Sequence, residues 1–284
     1  AIHSAAQPLT ATSGTFTGDV SIDGGSFVFN ESSADKDFRV ESNDHANMLF
    51  VDGGNNRIGI GTASADGGVH IKGVSDHGRI ILESGGTSGS NNGTFVQFHN
   101  HGGTEIAQIA VDEGASNEGQ MLFKTGGTTT AMTIDKDGHI TKPLQPAFLV
   151  TATAATNFSK DSNNTVAFGT EVFDQNGDFA SNTFTAPVTG KYLLSASVQI
   201  SNTQSDATYY IASIVTSNRT LRLAIEDPTI LSAPDDVAFW TFSAAHLMDM
   251  DASDTATITY RQEGGTNTVS DLDTDTSFSG FLVA

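Results

Sequence analysis

A His-x-His step is the sharpest local feature of the sequence that could bind a metal. The residues Phe98-His99-Asn100-His101 precede a Gly102-Gly103 turn. Residues two apart in a β-strand point to the same face, so a strand here would present the imidazoles of His99 and His101 side by side. Three chains around a threefold axis would then supply enough nitrogen ligands for an octahedral transition metal. Two solvent-facing polar residues before a turn are the commoner outcome, and this interpretation is favoured.

Alternating carboxylates form a second candidate metal site. Asp271, Asp273 and Asp275 occupy every second position, and carboxylate oxygens are ligands that Ca²⁺ prefers. A structural calcium ion is therefore the candidate here. Solvated acidic side chains are again the commoner outcome, because the chain has 33 acidic and 13 basic residues. No cofactor is expected to be required.

The residue types that carry catalysis do not form a recognisable group. The sequence has no Gly-x-Ser-x-Gly motif and no cysteine, which excludes thiolate catalysis, thiolate zinc sites and disulfides. His246 has no obvious partner in its own segment and is expected to be structural. We therefore expect no enzymatic activity. Paired Asp and Glu residues of the kind that glycosidases use keep a glycan depolymerase open as an alternative.

Charge and hydropathy narrow the classes of partner. The formal net charge is -20 and no cluster of basic residues occurs, so neither nucleic acid nor an anionic membrane surface is an expected partner. No apolar run is long enough to enter and span a bilayer. Ala1-Ile2-His3-Ser4 lack the charged and apolar parts of a signal peptide. The missing initial methionine fits either processing or a shortened chain.

Composition divides the sequence at two prolines. Of the 29 glycines, 23 precede the segment Pro143-Leu144-Gln145-Pro146 and six follow it. We predict an N-terminal attachment segment at residues 1–36, a β shaft at 37–142, a proline neck at 143–146 and a head at 147–284. Short strands separated by Gly and Asn turns are predicted in the first half, at residues 19–22, 48–51, 79–82, 95–98, 106–111 and 132–134.

The first half contains an approximate repeat of strand, turn and strand. Met48-Leu49-Phe50-Val51-Asp52 leads to Arg57-Ile58-Gly59-Ile60-Gly61-Thr62, and Met121-Leu122-Phe123-Lys124-Thr125 leads to Met132-Thr133-Ile134-Asp135 and Gly138-His139-Ile140. Repeated short strands suit an elongated β structure. Glycine-rich strands of this length are marginal in a single chain, so several chains are expected to cover one another's apolar edges.

These residues resemble a known shaft repeat. Phe38-Arg39-Val40-Glu41-Ser42, together with the Met48 and Arg57 segments above, is similar to the repeat of bacteriophage tail-fibre shafts, particularly those of marine phages. The resemblance covers residues 37–140. It implies a trimeric shaft that precedes a receptor-facing head, attachment to other virion proteins through the N-terminus, and an extracellular position on the virion surface.

The second half alternates apolar and polar residues with period two. Such alternation is typical of half-buried strands in a sandwich. The alternating residues are Tyr192, Leu194, Ala196, Val198 and Ile200, then Ala238, Trp240 and Phe242, and finally Ala256, Ile258 and Tyr260.

Four segments of the second half resemble a known jelly roll. They are Val166-Ala167-Phe168, Glu171-Val172-Phe173-Asp174, Phe184-Thr185-Ala186-Pro187-Val188-Thr189-Gly190-Lys191-Tyr192 and Thr276-Ser277-Phe278-Ser279-Gly280-Phe281-Leu282. Their order and spacing are similar to the globular head of complement components and the tumour necrosis factor superfamily. The resemblance implies a compact homotrimer that binds proteins or glycans, with calcium near the trimer apex. No collagen repeat precedes this head, which favours a viral origin.

The predicted fold is all-β: an elongated, intertwined trimeric β shaft followed by a jelly-roll β-sandwich head. The predicted function is that of a virion structural protein, a homotrimeric fibre or spike that binds a host surface glycan or protein. A capsid decoration protein that stabilises the shell is an alternative, as is the tailspike depolymerase. Recognition is expected on head loops, with Asn202, Ser205, Asp206, Asp235, Asp236 and Asn267 as the candidate contacts.

Overall fold

The computed structural model describes residues 17–18, 35–73, 78–84, 93–112, 119–155, 158–230, 237–266 and 271–284. These residues form 21 β-strands and one 3-10 turn, Pro228–Ile230, and none of them lies in an α-helix. The predicted all-β class is confirmed. Within the described part of the chain, no helix has the length and apolar character needed to cross a membrane.

The chain forms two compact units, residues 1–82 and 83–284. The break between the units falls inside the segment predicted as one shaft. The predicted four-part division stays a prediction, and most of its attachment segment, with the strand predicted at 19–22, lies outside the described residues.

The first unit contains a four-stranded sheet. Its strands are β1 (Phe38–Val40), β2 (Leu49–Asp52), β3 (Arg57–Ile60) and β4 (Val69–Ile71), in that order. β2 and β3 form an antiparallel hairpin, whereas β3 and β4 are parallel. Asp52 Oδ1 closes the hairpin turn by accepting a hydrogen bond of 2.8 Å from the Asn55 amide.

The strand predicted at residues 79–82 is wrong. These residues are described and form no strand, and the side chains of Ile80 and Ile81 are 69% and 70% exposed. Their β-branched character favours a strand only where a neighbouring strand supplies hydrogen bonds and packing, because β-propensity depends on context. No described strand pairs with this segment.

An antiparallel meander opens the second unit. Its strands are β5 (Gly93–His99), β6 (Glu105–Asp112), β7 (Gln120–Thr125), β8 (Thr129–Ile134) and β9 (Ile140–Thr141), again in sequence order. The strands predicted at 95–98, 106–111 and 132–134 are confirmed. The predicted repeat is also confirmed as a plan, since β7 and β8 form a hairpin like β2 and β3. Positive φ angles of 59° and 90° at Gly126 and Gly127 make the β7–β8 turn.

The proline neck is a turn that hydrogen bonds fix to the head. The amide of Gln145 donates to Lys142 O over 3.0 Å, which closes the turn. Gln175 Nε2 donates to Lys142 O and Gln145 O at 2.9 and 2.7 Å. Gln145 Nε2 donates in turn to Leu282 O at 2.6 Å. Two glutamine side chains therefore hold the neck against the head.

The head is a sandwich of two antiparallel sheets. One has the order β12-β10-β21-β15-β18, with β20 paired to β15, and we call it the front sheet; the other has the order β13-β14-β19-β16-β17, with β11 paired to β19, and we call it the back sheet. Their bounds are β10 (Ala147–Ala152), β11 (Asn164–Thr165), β12 (Phe168–Asp174), β13 (Phe179–Ala180), β14 (Thr183–Thr185), β15 (Gly190–Thr203), β16 (Ala207–Thr216), β17 (Thr220–Glu226), β18 (Val237–Met250), β19 (Thr255–Gly264), β20 (Asp271–Leu272) and β21 (Ser277–Leu282).

Alternating residues of the two sheets meet in one core. The apolar positions predicted on β15 and β19 are buried, and only Ala238 of the predicted β18 set is exposed, near the start of that strand. Phe148 stacks on Phe184 with ring centroids 4.7 Å apart and meets Phe278 edge-on at 5.0 Å. The predicted β-sandwich with period-two burial is therefore confirmed.

Candidate functional site

The end of the head opposite the neck carries three of the predicted contact residues. β15 begins beside the last strand, with Tyr192 opposite Leu282, and runs away from the neck to Thr203. Asn202 lies at the end of β15, and Ser205 and Asp206 lie in the turn from β15 to β16. Gln204 in this turn is buried, and its amide donates to Tyr210 Oη over 2.7 Å. A buried tyrosine thus fixes the turn.

Asp206 links this turn to the end of β19. Its Oδ2 accepts hydrogen bonds from the Thr266 hydroxyl and, over 2.9 Å, from the Thr266 amide. The bond from the Thr266 hydroxyl is the main cause that lowers the pKa of Asp206 below its ordinary value. The exposed carboxylate is therefore charged at neutral pH and can accept hydrogen bonds from a polar ligand.

Asn202 links the same turn to β20. It adopts a positive φ of 53°, and its Nδ2 donates to Asp271 Oδ2 over 2.7 Å. The fold thus brings a predicted contact residue and a predicted calcium ligand together. Asp235, Asp236 and Asn267 lie outside the described residues.

Two residues that the sequence analysis missed complete this end of the head. Lys160 Nζ donates to Gly265 O over 2.7 Å, and Asp161 Oδ1 accepts from the Gly264 amide over 2.7 Å. The turn-forming run Asp161-Ser162-Asn163-Asn164 was the available signal. We call the described loops 158–163, 202–206 and 264–266 the loop end. It offers hydroxyls, amides and carboxylates for hydrogen bonding.

The strand basis for the His-x-His site is wrong. β5 ends at His99, and His101 lies in the following turn. The ring Nδ1 of His99 donates to Gly103 O over 2.9 Å, which uses one nitrogen inside that turn. The two imidazoles therefore do not share a strand face, and metal binding by three chains stays a prediction.

The alternating aspartates hold a turn of the head. Asp273 Oδ1 accepts from the Asp275 amide over 3.1 Å, and the Asp273 amide donates to Gln199 O over 2.9 Å. With Asp271 bonded to Asn202, two of the three carboxylates have protein partners. Calcium at these residues stays a prediction.

Two other groups of acidic residues lie close enough to share an ion. Among the described residues, ligand atoms within 4.8 Å of one another occur at Asp35, Asp37 and Asp52 and at Asp135, Asp137 and His139. Asp135 accepts from the His139 and Asp137 amides at 2.8 and 2.9 Å. Its hydrogen bond to the His139 ring is the main cause that lowers the pKa of Asp135. These hydrogen bonds within one turn explain why the ligand atoms of Asp135, Asp137 and His139 lie close together.

His246 makes a structural contact. Its Nε2 donates to Arg222 O over 2.9 Å, so the ring joins β18 to β17. No acidic side chain takes part in this contact, in keeping with the structural role expected for this residue.

The outward face of the front sheet is apolar near the neck. Leu193 lies directly opposite Phe281 on one side and Leu247 on the other, and Leu149 lies opposite Phe173. Phe173, Leu247 and Phe281 are 49%, 59% and 47% exposed. We call these five residues the apolar face. Adjacent large apolar side chains on one exposed face are typical of an interaction surface.

The match to a known protein family lies in the head. Residues 147–283 match the family model of the C1q domain. The head is a C1q/TNF-like jelly roll. The resemblance of the four quoted segments to this type of head is thus supported by the family model, whereas the resemblance of the first half to phage shafts stays a prediction.

Solved structures similar to the C1q-like head share little sequence with it. The globular domain of zebrafish complement 1qA protein is 17% identical, with 49% of this chain and 98% of that chain covered and a TM-score of 0.36. Murine APRIL, solved at pH 8.0, is 12% identical, with 49% and 99% covered and a TM-score of 0.36. No curated protein matches the chain.

Proposed function

We propose that the chain is a homotrimeric fibre or spike of a virion, located on the virion surface and binding the host cell surface through its head. The observation that carries the proposal is the apolar face on a C1q/TNF-like head. Domains of this type often form trimers and bind ligands. The resemblance of residues 37–140 to phage shaft repeats supports the virion assignment.

The apolar face supports self-association of the head. Burying an exposed Leu or Phe side chain contributes about 1.5–3 kcal/mol. A closed trimer would bury the apolar face of each chain against a neighbour. The middle of the same sheet face is polar, with Ser243 Oγ donating to Ser197 Oγ over 2.8 Å, and Phe239, 60% exposed, lies nearer the far end. The polar part suits exposure to water, so the contact would be strongest beside the neck.

The meander sheet supports association of the shaft in the same way. One of its faces is built from apolar side chains, five of which are between 39% and 48% exposed. Cross-strand pairs such as Val96 with Ile109 and Ile109 with Phe123 continue this face from strand to strand. Its side chains are Val96, Phe98, Ile109, Val111, Met121, Phe123, Met132 and Ile134. Three such faces around one axis would form a closed apolar core.

Host binding would use the loop end, which lies away from the neck. Three heads present three loop ends, so weak single contacts combine through avidity. The proposed mechanism is adhesion and not catalysis. The loop end offers hydrogen-bonding groups held in protein contacts, and Asp206, the carboxylate beside the Thr266 hydroxyl, has a lowered pKa and is a weak base.

Two parallel assays test this proposal. Fluorescently labelled full chain is added to a panel of marine bacterial strains, and the fluorescence that washed cells retain is measured. Capsule and lipopolysaccharide from the same strains are incubated with the chain and examined for shortened polymers. The expected result is retention on some strains without cleavage.

The other outcomes separate the alternatives. Shortened polymers would identify a depolymerase. If no strain retains the chain and no polymer is shortened, host binding is contradicted. The capsid decoration protein that stabilises the shell then remains as the alternative. Antibody against the head, viewed on virions by electron microscopy, then places the chain on tail or capsid.

A further inference from the structure

A polar groove crosses the back of the head. It has a volume of about 430 Å³ and lies on the outward face of the back sheet. Its lining is mostly polar, with Ile211 and Val215 as the apolar members. The polar members are Asn163, Tyr209, Ser213, Thr220, Arg222, Thr259 and Arg261. The intervening residues of β16, Tyr210, Ala212 and Ile214, point into the core. The groove therefore faces away from the front sheet and stays open if the apolar face is buried in a trimer.

The strand register places a cation and two hydroxyls in one row, with the cation at one end. Ser213 lies opposite Arg222 on β17 and opposite Thr259 on β19. Side chains in such pairs have Cβ atoms about 5 Å apart. The β16–β17 pairing shifts register between Ala212 and Ser213, and this shift puts Arg222 beside Ser213. Ser213 is only 5% exposed, so its hydroxyl lies at the floor of the groove between the side chains of Arg222 and Thr259.

The two arginines of the groove differ in their partners. Arg261 Nε donates to Glu263 Oε2 over 2.7 Å, and hydrogen bonds to Glu263 and Tyr209 raise its pKa. The guanidinium of Arg222 makes no ion pair or hydrogen bond with the described residues, and the residue is exposed. An unpaired guanidinium can bind a carboxylate through two parallel N–H donors.

We propose that this groove binds one carboxylate-bearing sugar residue, with the carboxylate on Arg222 and sugar hydroxyls on Ser213 and Thr259. The ring of Tyr209 and the amide of Asn163 suit the edges of a pyranose. A single free cation matches one carboxylate, whereas the net charge of -20 repels a long polyanion. The site shares Asn163 with the loop end, but Arg222, Ser213 and Thr259 lie outside the loop end, so their variants test the groove independently of the proposed host contact.

Calorimetric titration of the full chain tests the site. The ligands are the methyl glycosides of glucuronic, galacturonic and N-acetylneuraminic acid, and the matched neutral controls are methyl glucoside and methyl galactoside. We expect millimolar binding of at least one acidic glycoside and at least tenfold weaker binding of its neutral counterpart. Arg222→Gln should weaken the acidic ligand about tenfold or more, since a charge-assisted hydrogen bond is lost.

Arg219→Gln is the matched control variant. It removes the same charge from the same hairpin, but Arg219 is paired with Asp249 outside the groove. The affinity of the Arg219→Gln variant for the acidic glycoside should stay within about twofold of that of the parent chain. Arg222→Lys keeps the charge without the two-pronged donor and replaces Arg222→Gln if that variant does not fold. No binding of any acidic glycoside, equal binding of the neutral forms, or equal losses at positions 219 and 222 would each overturn the proposal.

Discussion

Gly280 lets three strands approach closely at the centre of the front sheet. It lies opposite Phe148 on β10 and Leu194 on β15. A Cβ atom at this position would lie 2.8 Å from Phe148 Cε1 and 2.6 Å from Leu194 Cδ2. Both neighbours are buried in the aromatic core and have little room to move.

We expect Gly280→Ala to lower the free energy of unfolding by about 1–3 kcal/mol, because the added methyl group overpacks the core. Urea denaturation followed by circular dichroism measures the change. Ser279→Ala, one residue away on the opposite face, is the control and should change stability by no more than about 0.5 kcal/mol. Equal effects of the two substitutions would contradict this account of the packing.

Asp178 and Asp174 form a pair of carboxyl groups with opposite roles. Asp174 accepts hydrogen bonds from the Asp178 and Phe179 amides at 3.1 and 2.9 Å. Asp178 Oδ2 is buried and has no hydrogen-bond partner among the residues that the structure describes. Burial is the main cause that raises the pKa of Asp178, and the charge of Asp174 adds to it. Ionisation of Asp178 therefore works against folding.

We expect Asp178→Asn to raise the melting temperature at pH 7. A carboxyl whose pKa is raised in the folded state stabilises the fold in its protonated form, and that contribution is lost as pH rises through the folded pKa. The gain from the substitution should therefore fade as pH falls below the ordinary Asp value. Asp174→Asn is the comparison and should lower the melting temperature, because one amide oxygen replaces two charged acceptors. Scanning calorimetry at several pH values measures both, and a gain that does not change with pH would count against the assignment.

The structural role of a single residue could be predicted from the sequence where that role depends only on neighbouring positions in the chain. The alternating core residues of β15 and β19 follow from a pattern that is visible within each strand. The pairing of Asn202 with Asp271, or of Lys160 with Gly265, joins segments 69 and 105 positions apart. Nothing in the local sequence reports such contacts. The strand predicted through His101 ends at His99 instead, because the turn at Gly102 and Gly103 begins one residue later.

The front sheet places its apolar residues on three adjacent strands. Leu247 on β18, Leu193 on β15 and Phe281 on β21 form one row across the sheet. A row of this kind arises only after pairing, so the sequence predicts three half-buried strands without showing that their outward residues meet. Segment 79–82 illustrates the same limit of prediction from local sequence. Its residues favour a strand, but no described strand pairs with them.

We expect Leu247→Lys to shift the chain from trimer to monomer at micromolar concentration. The substitution removes about 2 kcal/mol of apolar burial per chain and places a charge in the proposed interface. Sedimentation velocity measures the shift. Thr220→Lys, an exposed position on the back sheet, is the control and should leave the trimer intact. A parent chain that sediments as a monomer would contradict the trimer itself, and a trimeric Leu247→Lys variant would place the interface elsewhere.

The C1q-like head has a core of its own within the second unit. Its buried cluster draws on residues from Phe148 to Phe278 and on both sheets. The neck contributes to this domain as well, because Gln145 and Gln175 tie residues 142–145 to it. Hydrogen bonds therefore hold the neck to the head before its first strand begins.

We expect fragments 142–284 and 146–284 both to fold, with the shorter one less stable by about 1–2 kcal/mol. The shorter fragment lacks the hydrogen bonds that Gln145 and Lys142 make with Leu282 and Gln175. Circular dichroism and urea denaturation measure this difference. An unfolded spectrum for fragment 142–284 would mean that the head needs the strands before it.

The chain enters the head at the same end at which residue 284 lies. Ala147 pairs with Phe281, and the Lys191 amide donates to Ala284 O over 2.6 Å. The loop end lies at the other end of β15, on the order of 35 Å away at the usual rise per residue. A fluorophore, biotin or affinity tag appended to Ala284 would therefore emerge beside the neck. Such a tag would immobilise the head on a sensor with its loops facing the solution, and peptides grafted into residues 202–206 would be displayed at the free end.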